Sequence, residues 1–193
     1  TIGNTVVGYT AGTNITTGIQ NTIIGNKAFF SANGSENSNV IIGAEAGYYM
    51  DNDNANNNVA IGRSAMSGGS GQLENSIAIG YASLYTTGSN DSSGQIAIGY
   101  QACKALTSGT YNLAVGYNAM TTHTTGSRNT AIGYGAMDDT DDHADTLASA
   151  DNVFIGYNSG GGTWDTNDCN FNVGIGNYTL DAAMNGAEAN TAV

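Results

Sequence analysis

The sequence predicts an all-β protein, a parallel β-solenoid or β-roll of about ten coils, and three observations carry that expectation. One phrase, plainest as Asn129-Thr130-Ala131-Ile132-Gly133-Tyr134-Gly135-Ala136-Met137, recurs along the chain. Its glycine falls at Gly8, Gly25, Gly43, Gly62, Gly80, Gly99, Gly116, Gly133, Gly156 and Gly176, with spacings of 17, 18, 19, 18, 19, 17, 17, 23 and 20. A period near 18 residues is too short for paired-helix repeats and suits one coil of a stacked β-structure. The composition agrees: 28 glycines, no proline and 40% hydrophobic residues in 193 describe a turn-rich chain with enough apolar surface to fold.

Each element of the repeat has its own demand. The residue before the glycine is always Val or Ile, from Val7 and Ile24 through Ile61, Ile79, Ile98, Val115 and Ile132 to Ile175, and two places earlier stands Thr, Val, Ile or Leu. A spacing of two puts both columns on one face of a strand. That face is expected to be the core, with Ile61, Ile79, Ile98, Val115 and Ile132 almost fully buried. The position between them, often Ala (Ala60, Ala78, Ala97, Ala114, Ala131), is then expected to point outward against a second chain. The glycine marks a corner where φ is positive or where backbones pack closely. Three places later a small residue, Ala11 through Ala136 to Ser159 and Thr179, allows a tight bend. Asparagine opens most copies (Asn4, Asn21, Asn39, Asn58, Asn112, Asn129, Asn152, Asn172), and stacked amides are expected to bond coil to coil. Thr, Ser, Asn and Gly between the phrases are turn signals.

Residues 1–193 read as one array, with 138–193 less regular and acidic. Each coil offers about two large aliphatic residues, too few to offset an ordering entropy of roughly 1 to 2 kcal/mol per residue, so stacking and oligomerisation must supply stability. Ten coils at roughly 4.8 Å each would make a rod about 50 Å long. The chain stops at Asn190-Thr191-Ala192-Val193, one residue short of the phrase's glycine, and is expected to be a window of a longer array. No apolar run approaches the roughly 20 residues of a membrane span.

Charge narrows the partners. Residues 1–137 hold six acids and all four bases (Lys27, Arg63, Lys104, Arg128), whereas 138–193 hold ten acids and no base. Without a basic stripe, nucleic-acid binding is not expected. Cys103 and Cys169 lie in different columns with no metal-ligand spacing, and read as unpaired bystanders.

The phrases Asn129 to Met137, Asn112-Leu113-Ala114-Val115-Gly116-Tyr117-Asn118-Ala119-Met120 and Asn58-Val59-Ala60-Ile61-Gly62 resemble the repeats of bacteriophage tail fibres. Their Val/Ile-Ala-Ile-Gly core is similar to the head domain of trimeric autotransporter adhesins. The resemblance covers essentially the whole chain. It implies a homotrimer of left-handed parallel β-rolls working as a stiff extracellular fibre on a virion. Its partners would be host-cell surface glycans or proteins; the alternative is the head of an adhesin on a bacterial cell surface. The period is longer than in the adhesin heads, so loops must bulge from each coil.

Candidate sites each have a sharp and a plain reading. Asp138, Asp139, Asp141, Asp142, Asp145 and Asp151 crowd the longest inter-repeat segment, where dense carboxylates suit Ca²⁺ but also make a solvated acidic loop. No glycine hinge or bidentate Glu completes a calcium loop, and the alternating acids Asp51 and Asp53 lack the remaining ligand pattern. The column after the glycine holds Tyr9, Tyr81, Tyr100, Tyr117, Tyr134 and Tyr157, either a sugar-binding stripe centred on Tyr100, Tyr117 and Tyr134 or a structural ladder. Trp164, beside three glycines, reads as a ligand contact in an exposed loop or as a lid. Recognition is expected on the irregular coils, because loops that break a period are free to vary. No enzyme is expected: His123 and His143 lack a companion nucleophile or zinc-binding helix, and no base follows Arg128. No continuous Thr face suits ice, and Gly68-Gly69-Ser70-Gly71-Gln72-Leu73 lacks the Asp of calcium-binding toxin repeats.

Overall fold

A strand of three residues is the longest run the repeat permits, because the glycine that follows it turns the chain. The computed structural model describes residues 3–51, 54–69, 71–88, 91–140, 148–164, 167–184 and 186–193. In it the Val/Ile phrases form β1 (Thr5–Val7), β2 (Thr22–Ile24), β3 (Val40–Ile42), β4 (Val59–Ile61), β5 (Ile77–Ile79), β6 (Ile96–Ile98), β7 (Leu113–Val115), β8 (Thr130–Ile132), β9 (Val153–Ile155), β10 (Val173–Ile175) and β11 (Thr191–Ala192). All pair in parallel and in chain order, in one 11-stranded sheet. Register is strict: Ala60 lies opposite Ala78, Ala78 opposite Ala97, and Ile61 opposite Ile79. The protein is an all-β parallel solenoid of about ten coils with a period near 18 residues.

The corner glycine meets both halves of its expectation. Gly43, Gly62, Gly99 and Gly133 hold φ between 130° and 142°. A Cβ on Gly133 would lie 2.1 Å from the carbonyl oxygen of Gly156 in the next coil. Stacked corners therefore exclude any side chain. Beyond the corner, residues two and four places on adopt the left-handed region, as in Gln101 (φ 54°), Cys103 (φ 50°), Asn118 (φ 56°) and Met120 (φ 54°). That conformation costs about 1 to 2 kcal/mol for a residue with a Cβ. It lets successive amides point alternately down and up the stack: Asn118 N donates to Tyr100 O at 2.9 Å, and Met120 N donates to Ala136 O at 2.9 Å.

The facing of the strand is the reverse of the expectation. The middle residue is the buried one: Ala60, Ala78, Ala97, Ala114, Ala131, Ile23, Ile41 and Phe154 are all 0% exposed. The columns on either side, including Ile61, Ile79, Ile98, Val115 and Ile132, are only half-buried. The reason is the narrow cross-section of the coil. The inward strand residue faces the small residue three places past the glycine and the side chain four places past it, and these share the interior of the coil. Where the strand offers Ala, the fourth place offers Met66, Leu84, Cys103, Met120 or Met137, all fully buried. Where it offers Ile41 or Phe154, the fourth place is Gly47 or Gly160, and a Cβ on Gly160 would stand 2.6 Å from the Phe154 ring. Close packing couples the two positions in these coils, while the second coil is wider and buries Ile23 and Phe29 together.

The asparagine column works as a brace as well as a ladder. Asn129 Oδ1 accepts from Asn152 N at 3.1 Å in the next coil, while its Nδ2 donates to Ser149 O at 2.8 Å across its own coil. Asn39, Asn58, Asn112, Asn152 and Asn172 repeat the pattern. Ser76 and Gln95 fill the column where asparagine is missing: Gln95 N donates to Ser76 Oγ at 3.1 Å, and Gln95 Nε2 donates to Gly109 O at 2.8 Å. Each member satisfies buried backbone groups that water cannot reach.

Candidate functional site

Three surfaces follow from this architecture. The first is the outer face of the sheet, where the two Val/Ile/Leu/Thr columns run in register across the ten three-residue strands β1 to β10. Toward the ends it opens further, with Val7 58%, Ile24 38% and Ile175 42% exposed.

The second is the tyrosine ladder. The residue after the corner points away from the core and recurs once per coil, so the coil spacing sets the ring spacing. Tyr81, Tyr100, Tyr117, Tyr134 and Tyr157 stack in sequence, with centroids 4.8 to 5.3 Å apart and ring planes within 5 to 18° of parallel. Tyr178 closes the row edge-on at 63°. The row is a structural ladder, yet Tyr100, Tyr117 and Tyr134 still show 40%, 45% and 49% of their surface. Their ring edges and hydroxyls face solvent while the faces are taken by neighbours.

The third is a trough on the N-terminal coils, which the sequence reading did not single out. Two adjoining hollows of about 230 and 250 Å³ share Glu45, Ser64 and Tyr85. Lys27 enters from one end, Arg63 and Lys104 from the other. Three of the chain's four bases thus border one polar depression. The fourth, Arg128, is engaged elsewhere: its Nε and Nη2 both reach Asp151 at 2.7 Å. That contact holds the Asp151 carboxyl below its ordinary value. It is the one ion pair among the described residues. The one trace in the sequence is their spacing by coil, since Lys27, Arg63 and Lys104 stand two, one and five places past the corner glycines of the second, fourth and sixth coils. Their three different places within the repeat hide it, and the stacking of the coils is what brings them together.

Trp164 is 0% exposed, which corrects its reading as a receptor or glycan contact. The glycines that made its segment look like an open loop instead make room inside the coil. Phe154 occupies the inward strand position, Gly160 and Gly174 clear space for it, and Trp164 packs edge-on at 5.7 Å from the Phe154 ring. Its Nε1 donates to Gly160 O at 3.1 Å. Of the aspartates offered as calcium ligands, Asp141 and Asp142 lie outside the described residues. Asp138 and Asp139 are half-buried, and Asp139 Oδ2 accepts from Thr163 Oγ1 at 3.0 Å. Burial, and then the charge of Asp139, pushes the Asp138 carboxyl up. Among the described residues no three His, Cys, Asp or Glu side chains converge on a point.

Buried chemistry is confined to the wall of the solenoid. Cys103 and Cys169 are free and buried, and burial pushes the Cys103 thiol up to about 12. His123, also buried, has its pKa lowered to about 4 by desolvation. Its Nδ1 lies 3.0 Å from Thr140 Oγ1 and its Nε2 3.3 Å from Asn129 Nδ2. None of the three touches the trough, and no helix among the described residues is long and apolar enough to cross a membrane.

No family model, curated protein or solved structure matches the chain.

Proposed function

We propose that the chain is a structural segment of a bacteriophage tail fibre, a homotrimeric extracellular shaft without catalytic activity that presents host-contacting surface along its length. The observation that carries this reading is the outward apolar face of the sheet. Parallel sheets occur almost only with both faces covered. Here the inner face packs into the coil, while the outer one leaves Val59, Ile61, Ile77, Ile79, Ile96 and Ile98 half-exposed in an unbroken stripe. A continuous apolar stripe of that kind is an association surface. Three copies around a three-fold axis cover it equivalently, in the assembly implied by the tail-fibre resemblance. The stiffness of the shaft comes from the same strict register that aligns the stripe.

The corrected facing changes which substitutions test the assembly. Ile98→Glu with Val115→Glu places two carboxylates on the outer stripe and leaves the coil interior untouched. Sedimentation of the parent is expected to give three chains, and the double variant a folded single chain. Ala97→Glu is expected to destroy the fold outright, because a carboxylate cannot enter a methyl-sized space beside Cys103. A parent that sediments as a single chain, or a double variant that stays trimeric, would remove the basis for this reading.

A further inference from the structure

We infer that the trough on the N-terminal coils is a binding site for an acidic carbohydrate chain, one whose sugars carry carboxylates. This takes the adhesive half of the fibre reading further and moves it from the irregular coils to regular ones. The walls are lined by Lys27, Glu45, Arg63, Ser64, Tyr85 and Lys104. Arg63 is exposed and the two lysines half-buried, and among the described residues none of the three forms an ion pair. In a chain of net charge −12 with sixteen acids to choose from, three unpaired cations around one depression are a local inversion of the surface. Only Glu45 opposes them there.

The spacing of those cations selects the ligand. Lys27, Arg63 and Lys104 belong to the second, fourth and sixth coils, so along the fibre they are about 10 Å apart. A nucleic acid carries a charge roughly every 1.7 Å. It would find most of its phosphates unmatched and repelled by the remaining acidic surface. A sugar chain with one carboxylate per ring or per few rings has its charges spaced more like the protein's. Guanidinium and ammonium groups pair with such carboxylates, the former in two-pronged fashion. The rest of the trough suits sugar as well. Ser64 and Gln101 can exchange hydrogen bonds with ring hydroxyls, and Tyr49 and Tyr85, 56% and 39% exposed, offer apolar ring faces to the C–H side of a pyranose. Unlike the Tyr81 to Tyr157 ladder, these rings are not stacked in a continuous row that occupies both faces.

The site is tested by titrating the assembled protein with oligogalacturonate, with oligosialate, and with the carboxyl-reduced neutral form of the first, using calorimetry at low and high salt. Binding of at least one acidic chain and not of the neutral one is expected, weakening as salt screens the contact; the two acidic chains distinguish a uronate from a sialate ligand. Arg63→Gln with Lys104→Gln should weaken binding by roughly tenfold or more, while Arg128→Gln, which lies away from the trough, should leave it unchanged. Lys27→Gln supplies a second, single variant should the double one fold poorly. Equal binding of the neutral chain, no binding of either acidic chain at low salt, or binding unaffected by the trough variants would overturn the assignment. Trimer formation is read separately by sedimentation, so a failed site and a failed fibre give different results.

Discussion

His123 shows how a single residue in a repeat can acquire a property its neighbours lack. Its ring lies inside the stack, where Asn129 Oδ1 accepts from Asn152 N, which turns the Asn129 Nδ2, a donor only, toward the ring. Nε2 is therefore the lone-pair nitrogen and Nδ1 carries the proton toward Thr140 Oγ1. Protonating Nε2 would set one N–H against another in a site that burial has stripped of water. The folded-state pKa is accordingly about 4 against an ordinary 6.5. A depressed pKa contributes stability that is fully present above 6.5 and lost as pH falls toward 4, after which it levels off. The loss is on the order of 3 kcal/mol. Thermal melting should show a drop in stability across that window that is much reduced in His123→Gln. Asp138 acts with the opposite sign, since its raised pKa favours folding on acidification, so the difference between parent and variant, rather than the parent's curve alone, isolates the histidine. A difference that is flat with pH would mean that His123 is not buried in its neutral form.

At the scale of one coil, the controlling quantity is the volume shared by the inward strand residue and the side chain four places past the corner. The ninth coil solves it with Phe154 and Gly160, where its neighbour uses Ala131 and Met137. Phe154→Ala alone should cost about 3 to 5 kcal/mol through the cavity it leaves. Gly160→Met alone should also destabilise, because its Cβ would meet the Phe154 ring at 2.6 Å. Together they rebuild the arrangement of the eighth coil, and chemical denaturation should reveal a favourable coupling of roughly 1 to 3 kcal/mol between them. Additive losses would show that the two positions do not share space. Leu84, Met120 and Met137 are fully buried at the fourth place, a role the sequence pattern did not assign because only the structure reveals which wall they face.

Across the whole molecule, each coil contacts only its neighbours, and every register line continues from one coil to the next. Removing one complete period should then be far less harmful than removing part of one. Deleting residues 112–128 brings Asn129 onto Gln95, whose Oε1 now accepts from Asn112 N at 3.2 Å, and lays β8 on β6 in the register β7 leaves. Circular dichroism should keep its β signal and a cooperative melt. Deleting 112–120 instead removes β7 but not the rest of its coil, and should abolish cooperative unfolding. Equal behaviour of the two deletions would contradict a nearest-neighbour array.

The period, the parallel register, the glycine corners and the asparagine column were all legible in the sequence, since each is imposed by local backbone geometry repeated at one spacing. Alternation of period two also showed correctly that the two Val/Ile columns share a face. It was silent on which face, because that depends on what stands across the coil: in the fourth to eighth coils a buried Met, Leu or Cys at the fourth place faces an alanine. For the same reason Trp164 looked exposed among its glycines and proved to be core, and Tyr100, Tyr117 and Tyr134 proved to be a stack whose faces cover one another. The trough draws Lys27, Arg63 and Lys104 from coils far apart in sequence, and only the stacking of those coils brings their charges to one place.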